Sequence, residues 1–415
     1  MPHLRIKQVE PYWQIGIMGW IVYFTNYFLR YNYAAAMVVI GQTEGLDMHE
    51  LGLIASILFV TYGFGQLISG FLGDRLNPKA IIFCGIVGST VSNVLMGASG
   101  DISVMRMAWG LNGICSSFLW APMVRLLTIY MPEERLRGAI LSFSYCTAFG
   151  QAGTYLLTAW LSTCFSWRVS FFVPAAMGGL SAVGWLVVSH TAGSIRPDGP
   201  RGRAASAPRP AIPRIRLYWL SGLPLILIAI LFMGILKDGI LTWLPQMVTD
   251  TFHIEAAYAI FLSAAIPLMN SLSVWLIKRT EKRFQGNDMV NSGILFACSA
   301  LGLLAVLLFG SFHPIVHIVL YAAVSTLTAG INTILISFVP LQFMKSGRSS
   351  TIAGVTNTAT YLGSALSGWG LGFTADRWGW GGVNVLLLLL CILGLAVSLL
   401  ASLPWRRFIH KQHTA

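Results

Sequence analysis

YFTNYFLRYNY, residues Tyr23 to Tyr33, is the stretch from which the fold follows. It puts Arg30 inside a hydrophobic segment running from about Tyr12 to Ile40, where the only other ionisable groups between Glu10 and Glu44 are tyrosines. A guanidinium keeps its proton, so at bilayer depth it costs about 3 kcal/mol or more unless an anion or a water-filled cavity receives it. One explanation is snorkelling toward the headgroups, or a structural pair. Against snorkelling, Arg30 lies well inside a stretch longer than the roughly 20 residues that cross the hydrocarbon. Tyr23, Tyr27 and Arg30 are spaced by four and three, which puts them on one helical face. Two phenols and a guanidinium in a stripe suit an anion with several oxygen acceptors.

The rest of the chain fits a membrane setting. Its 415 residues are 55% hydrophobic and only 10% charged, with a mean hydropathy of +0.70, which excludes an ordinary soluble domain. Twelve apolar stretches are long enough to cross, at roughly 12–39, 49–73, 80–98, 103–130, 137–161, 167–190, 217–248, 256–278, 289–310, 313–343, 348–375 and 381–404. The first is too long for a signal-peptide core and no small-residue cleavage site closes it, so it is expected to stay. With the N-terminus inside, 21 of the 27 Lys and Arg fall on inward loops and tails, and only Arg106, Arg168 and Arg377 on outward loops. Both termini are therefore expected in the cytoplasm. The net charge of +12 then reflects topology, and nucleic-acid binding is not expected. Six cysteines, mostly within or at the ends of spans and never as CxxC, read as packing residues rather than a disulfide framework or metal site.

Two sets of six spans, 1–190 and 217–404, flank residues 191–216, which carry six arginines and five prolines without apolar periodicity and read as a disordered cytoplasmic linker. Residues 405–415 form a cytoplasmic tail. Between spans two and three, GFLGDRLNPK (Gly70 to Lys79) puts Asp74 and Arg75 at the inner surface and offers Asn77-Pro78 as N-cap and first residue of the next helix. This loop resembles the GxLaDRxGRK signature of the major facilitator superfamily. The resemblance implies two pseudo-symmetric six-helix bundles that rock about a central site, with Asp74 and Arg75 helping to gate the inward face.

In span seven, LKDGILTWLP (Leu236 to Pro245) places Lys237 where Arg30 stands in span one. Two cations at repeat-related positions would converge near the pseudo-two-fold axis. Asp238, the one acid inside a span, complicates this: a local Lys237-Asp238 pair is the competing reading. Adjacent residues point about 100° apart on a helix, so incomplete neutralisation is expected. Trp120 in span four is either cavity lining or packing, and the hydroxyls and amides of spans ten and eleven are either pore lining or helix glue.

YFLRYNYAAAM, VTYGFGQLISGFLGDRLNPK, WGLNG with LWAP, and LKDGILTWLP together resemble the organophosphate:phosphate antiporter family, which includes bacterial glycerol-3-phosphate and hexose-6-phosphate exchangers. Carried over position by position, the resemblance implies substrate binding by Arg30, Lys237, Tyr23, Tyr27, Tyr62, Trp120 and Tyr361. The chain departs from the family at Lys237, where an arginine is usual, and at Gln66, Thr147 and Gly234, which replace a basic residue, a histidine and a tyrosine. The implied protein is an all-α membrane carrier with twelve transmembrane helices, not an enzyme and without cofactor or metal. It is expected to be a monomer in the bacterial inner membrane, exchanging a small organic phosphate against inorganic phosphate. A carrier-like sensor of a sugar phosphate, or a carrier of a carboxylate or phosphonate, are the alternatives.

Overall fold

A computed structural model describes residues 11–191, 219, 221–273, 275–277, 279, 287–343 and 349–414. Nearly all of the linker read from the sequence, and the first ten residues, lie outside this set. The described residues form helices α1 (Pro11–Glu44), α2 (Met48–Arg75), α3 (Pro78–Ala98), α4 (Ile102–Ser117), α5 (Trp120–Tyr130), α6 (Glu133–Cys164) and α7 (Val169–Thr191). After the linker come α8 (Leu223–Phe252), α9 (Ala256–Ser263), α10 (Ala265–Asn270), α11 (Asp288–Phe309), α12 (Pro314–Thr333), a π-segment (Ile334–Phe338), α13 (Val339–Leu341) and α14 (Ser349–Thr414). No strand occurs among them. Gly379, at φ 63°, kinks α14. Nine of the described stretches are long and apolar enough to cross a membrane.

Prolines explain why some spans are broken. Pro122 cannot donate to the Phe118 carbonyl, and the fourth span breaks at Phe118–Leu119 into α4 and α5. Pro267 and Pro340 likewise sit four residues beyond Ser263 and Ile336, where α9 gives way to α10 and where the π-segment lies. Asn77 caps α3 as the sequence suggests, accepting from the Lys79 amide at 3.0 Å with Pro78 as the first helical residue. Asp101 caps α4 by accepting from the amides of Ser103 and Val104, and those bonds hold its carboxyl below the usual carboxylate range.

The helix pairings repeat between the two sets. In the first, α1 packs on α6 and α7, while α3 packs on α4 and α7; in the second, α8 packs on α14, and α11 on α12 and α14. Contacts between the sets are also exchanged in kind: α2 meets α14, and α6 meets α9 and α10. They concentrate at the end carrying the Gly45–Asp47 turn, called here the far end. There Gly52 and Gly368 face each other so closely that a Cβ on Gly52 would lie 2.8 Å from the Gly368 carbonyl carbon. Ser56 Oγ donates to Ala365 O at 2.6 Å and accepts from the Trp369 amide at 2.7 Å. Asp376 accepts from the backbone amides of Met48 and His49. At the opposite end, where the linker joins, α5 packs on α1, α2, α3 and α6, and α13 packs on α14 and the π-segment.

Candidate functional site

Arg30 sits near the middle of α1, held there by amides from neighbouring helices. The carbonyl of Leu29, one residue before it, accepts from Asn93 Nδ2 and Asn112 Nδ2, both at 2.8 Å. Asn32 Nδ2 in turn donates to Asn93 Oδ1 at 2.7 Å and to Ser170 O at 3.0 Å. Ser170 lies four residues before Pro174, so its carbonyl is one that the proline leaves without a helical donor. A network satisfied on all sides fixes the backbone that carries the guanidinium.

Arg30 is 8% exposed, and its guanidinium pairs with no carboxylate among the described residues. Its carbon lies 3.7 Å from the ring centre of Tyr62 on α2, 5.3 Å from that of Tyr31 and 5.7 Å from that of Tyr361 on α14. Tyr62 and Tyr361 also touch each other, with ring centres 4.6 Å apart. Cation–π contacts partly offset the desolvation of Arg30, yet its Nε has no hydrogen-bond partner. A buried charged donor without an acceptor is costly, and an oxyanion supplies what is missing. Beside it, Tyr33, Leu58, Phe59 and Trp109 help line a small space of about 20 Å³, room for about one water.

The tyrosine stripe continues toward the linker end. Tyr27 is stacked with Tyr31 at 5.7 Å and shares a 2.8 Å hydrogen bond with Thr147 on α6. Tyr23 meets Tyr27 edge-on at 5.5 Å and Trp120 at 5.2 Å. Trp120 also packs against Phe143. Three departures from the family pattern turn out to be built into the walls. Gln66 Nε2 donates to Tyr62 Oη at 3.0 Å, and Thr147 holds Tyr27. Gly234 lets α8 approach α14, where its missing Cβ would lie 3.3 Å from Gly363 Cα.

Lys237 corrects one expectation. Its Nζ lies 3.2 Å from Asp238 Oδ1, an ion pair between sequence neighbours. The 100° separation of the two Cβ directions does not prevent it, because the four-carbon lysine stem bends back to the carboxylate. Asp238 Oδ2 accepts from Ser364 Oγ on α14. Among the described residues the two repeat-related cations are thus unequal, Arg30 without a carboxylate partner and Lys237 with one, rather than two bare charges. Like-charge repulsion between two free cations therefore supplies no reason for obligatory exchange. Asp74 and Arg75 end α2, and their side chains lie outside the described ones.

Sequence reasoning did not single out Tyr155. Its hydroxyl donates across the two sets to the Leu241 carbonyl at 2.7 Å. The signal was present in LTWLP, since Pro245 stands four residues past Leu241 and frees that carbonyl.

A bundle of membrane-length helices in two repeated sets, meeting around a buried cation and closed at one end, defines a polytopic carrier of alternating-access type. The chain belongs to the Major Facilitator Superfamily, whose model matches residues 19–368. It is similar to a probable hexose phosphate transport protein of Chlamydia pneumoniae, 25% identical over 96% of this chain and 92% of the relative. It is also similar to a glycerol-3-phosphate transporter of Bacillus subtilis, 26% identical over 96% of this chain and 94% of the relative. The membrane sensor protein UhpC of Salmonella typhimurium is 25% identical over 89% of this chain and 87% of its own length. Among solved structures, a bacterial homolog of the human lysosomal transporter Spinster, in an inward-facing and unoccupied conformation, superposes with a TM-score of 0.80. It is 14% identical and covers 96% of this chain and 98% of its own.

Proposed function

We infer that this chain is a secondary transporter of a small organic phosphate ester, working by alternating access. The observation that carries the reading is Arg30, a buried guanidinium with an unpartnered Nε between aromatic rings from both helix sets. A phosphoryl group suits this site because it presents several acceptor oxygens to a forked donor, with Tyr23 and Tyr27 as further hydrogen-bonding groups and Lys237 as a second charge. Tyr62, Trp120 and Tyr361 form the aromatic walls. The names of the hexose phosphate and glycerol-3-phosphate relatives support the same substrate class.

The membrane arrangement we propose has twelve crossings. They are the nine apolar candidates, with the stretch Thr351–His410 crossing twice about Gly379, together with α1 and α6, which are 34 and 32 residues long. α1 is less apolar than its neighbours because it bears the tyrosines, asparagines and arginine of the site. Bundles 1–190 and 217–404, the linker 191–216 and both termini in the cytoplasm follow from the distribution of Lys and Arg. This makes the far end periplasmic and the conformation inward-facing, in a bacterial inner membrane. Asp74 and Arg75 then act at the cytoplasmic gate. A monomer suffices, since one chain supplies both walls of the site. Inorganic phosphate is expected to occupy the same cations and to exchange against the ester.

The relationship to a membrane sensor favours a second reading, in which the chain binds a sugar phosphate and signals. Radiolabelled phosphate and glycerol 3-phosphate fluxes in proteoliposomes separate the two. Saturable flux lost in Arg30→Ala supports transport. Binding without flux supports sensing, and competition by carboxylates or phosphonates but not phosphate overturns the substrate class.

A further inference from the structure

Asp238 is 3% exposed in the middle of a transmembrane helix, and its two oxygens have partners of different kinds. Oδ1 faces the Lys237 ammonium at 3.2 Å. Oδ2 faces Ser364 Oγ, which also lies 3.0 Å from the Thr360 carbonyl. A serine hydroxyl has one hydrogen and cannot donate to both acceptors at once. With Asp238 ionised, that hydrogen goes to Oδ2. With a proton on Oδ2, the acid donates to Ser364 Oγ and the serine hydrogen turns to Thr360 O. Both protonation states are fully hydrogen-bonded with no heavy atom moved, an unusual provision for a carboxyl group inside a bilayer.

The neighbouring charged and titratable groups are Lys237 on the same helix, Arg30 and Tyr31 on α1, Tyr155 on α6 and Tyr361 on α14. In the empty carrier the two cations and Asp238 leave one net positive charge, and Asp238 occupies Lys237. A phosphate dianion that takes Lys237 would strand a buried ionised carboxylate beside a doubly negative guest, which like-charge repulsion opposes. A proton taken from water onto Oδ2 makes the loaded site neutral. Release to the other side returns the proton to water and Lys237 to Asp238.

We propose that Asp238 is the proton carrier of an anion–proton symport. Its pairing with Lys237 lets the empty carrier return, so net uptake needs no counter-anion. This rests on the reading of the site as an anion carrier, and the test separates the two. Purified full-length chain is reconstituted in proteoliposomes, and ³²P-labelled inorganic phosphate is followed in two modes: exchange against internal phosphate, and accumulation into phosphate-free vesicles with the outside made acid. Wild type exchanges, and accumulates phosphate in a manner abolished by a protonophore. In Asp238→Asn the ratio of gradient-driven accumulation to exchange falls about tenfold or more. Ser364→Ala shifts that ratio in the same direction, and exchange in each variant reports that it is folded. Protons riding on phosphate itself are common to all variants and drop out of the comparison. Exchange without gradient-driven accumulation in wild type overturns the symport, as does an unchanged ratio in Asp238→Asn. Absence of both modes overturns the anion-carrier reading instead.

Discussion

Replacing Tyr155 by phenylalanine removes one hydroxyl and little else, and the structure says what that costs. Tyr155 is fully buried, Leu241 is 6% exposed, and the 2.7 Å bond between them joins the two helix sets. Pro245 withholds the amide that would otherwise satisfy Leu241 O, so Tyr155→Phe leaves a buried carbonyl unpaired, which costs about 1–3 kcal/mol. If the sets part and water reaches the carbonyl, that penalty is relieved. The equilibrium therefore moves away from far-end closure by about 5- to 150-fold, since 1.4 kcal/mol is tenfold. The assay is a pulsed spin-label distance between Thr43→Cys and Trp378→Cys, in a background with the six native cysteines replaced. The expected outcome is growth of a long-distance population in Tyr155→Phe. Adding Pro245→Ala supplies the missing helical N–H and returns the distribution toward wild type. A Tyr155→Phe distribution identical to wild type, or a double variant no different from Tyr155→Phe, refutes the argument that the proline-freed carbonyl holds the halves together.

Arg30→Ala is expected to weaken phosphate binding about 100-fold or more, because it removes a charge-assisted, forked donor; calorimetry on the purified protein checks this, and near wild-type affinity counts against the site. Lys237→Met removes the cation paired with the buried Asp238 and is expected to lower thermal stability, by less than the cost of about 3 kcal/mol for a stranded carboxylate because Oδ2 can take a proton. Adding Asp238→Asn recovers most of that stability in a thermal-shift assay without restoring phosphate affinity. Gly52→Val drives a side chain into the Gly368 backbone, an overpacking of about 1–3 kcal/mol against far-end closure, so transport slows while the same spin-label distance lengthens. Asp376→Asn is expected to change transport less than about threefold, because the His49–Asp376 pair is exposed and such pairs contribute under about 1 kcal/mol.

What the sequence made legible was local or periodic. Arg30 and its tyrosines lie on one helical face, the Asn77-Pro78 cap forms, and apolar runs predict the helices because a bilayer leaves the backbone few alternatives. The breaks inside spans four, eight and ten were also written in the chain, as prolines at fixed offsets from the carbonyls they orphan, although a hydropathy window averages over them. Contacts between the halves were not legible. Gly52 against Gly368, Ser56 against Ala365, and Tyr155 against Leu241 join residues more than eighty positions apart, and nothing in a local pattern says which small residue or hydroxyl will be opposite. The Lys237-Asp238 pair, one of two readings open at the sequence level, could not be decided there for another reason. Helical geometry fixes where the Cβ atoms point but not where a flexible ammonium ends, and a lysine inside a span folds back on the nearest carboxylate. The same flexibility makes the pair separable: an arginine at 237 would hold Asp238 through a more rigid fork, whereas a lysine can swing away, as the proposed phosphate site requires. Lysine at 237 with an acid beside it thus suits the proposed site, in which the cation is released when its own carboxylate is neutralised.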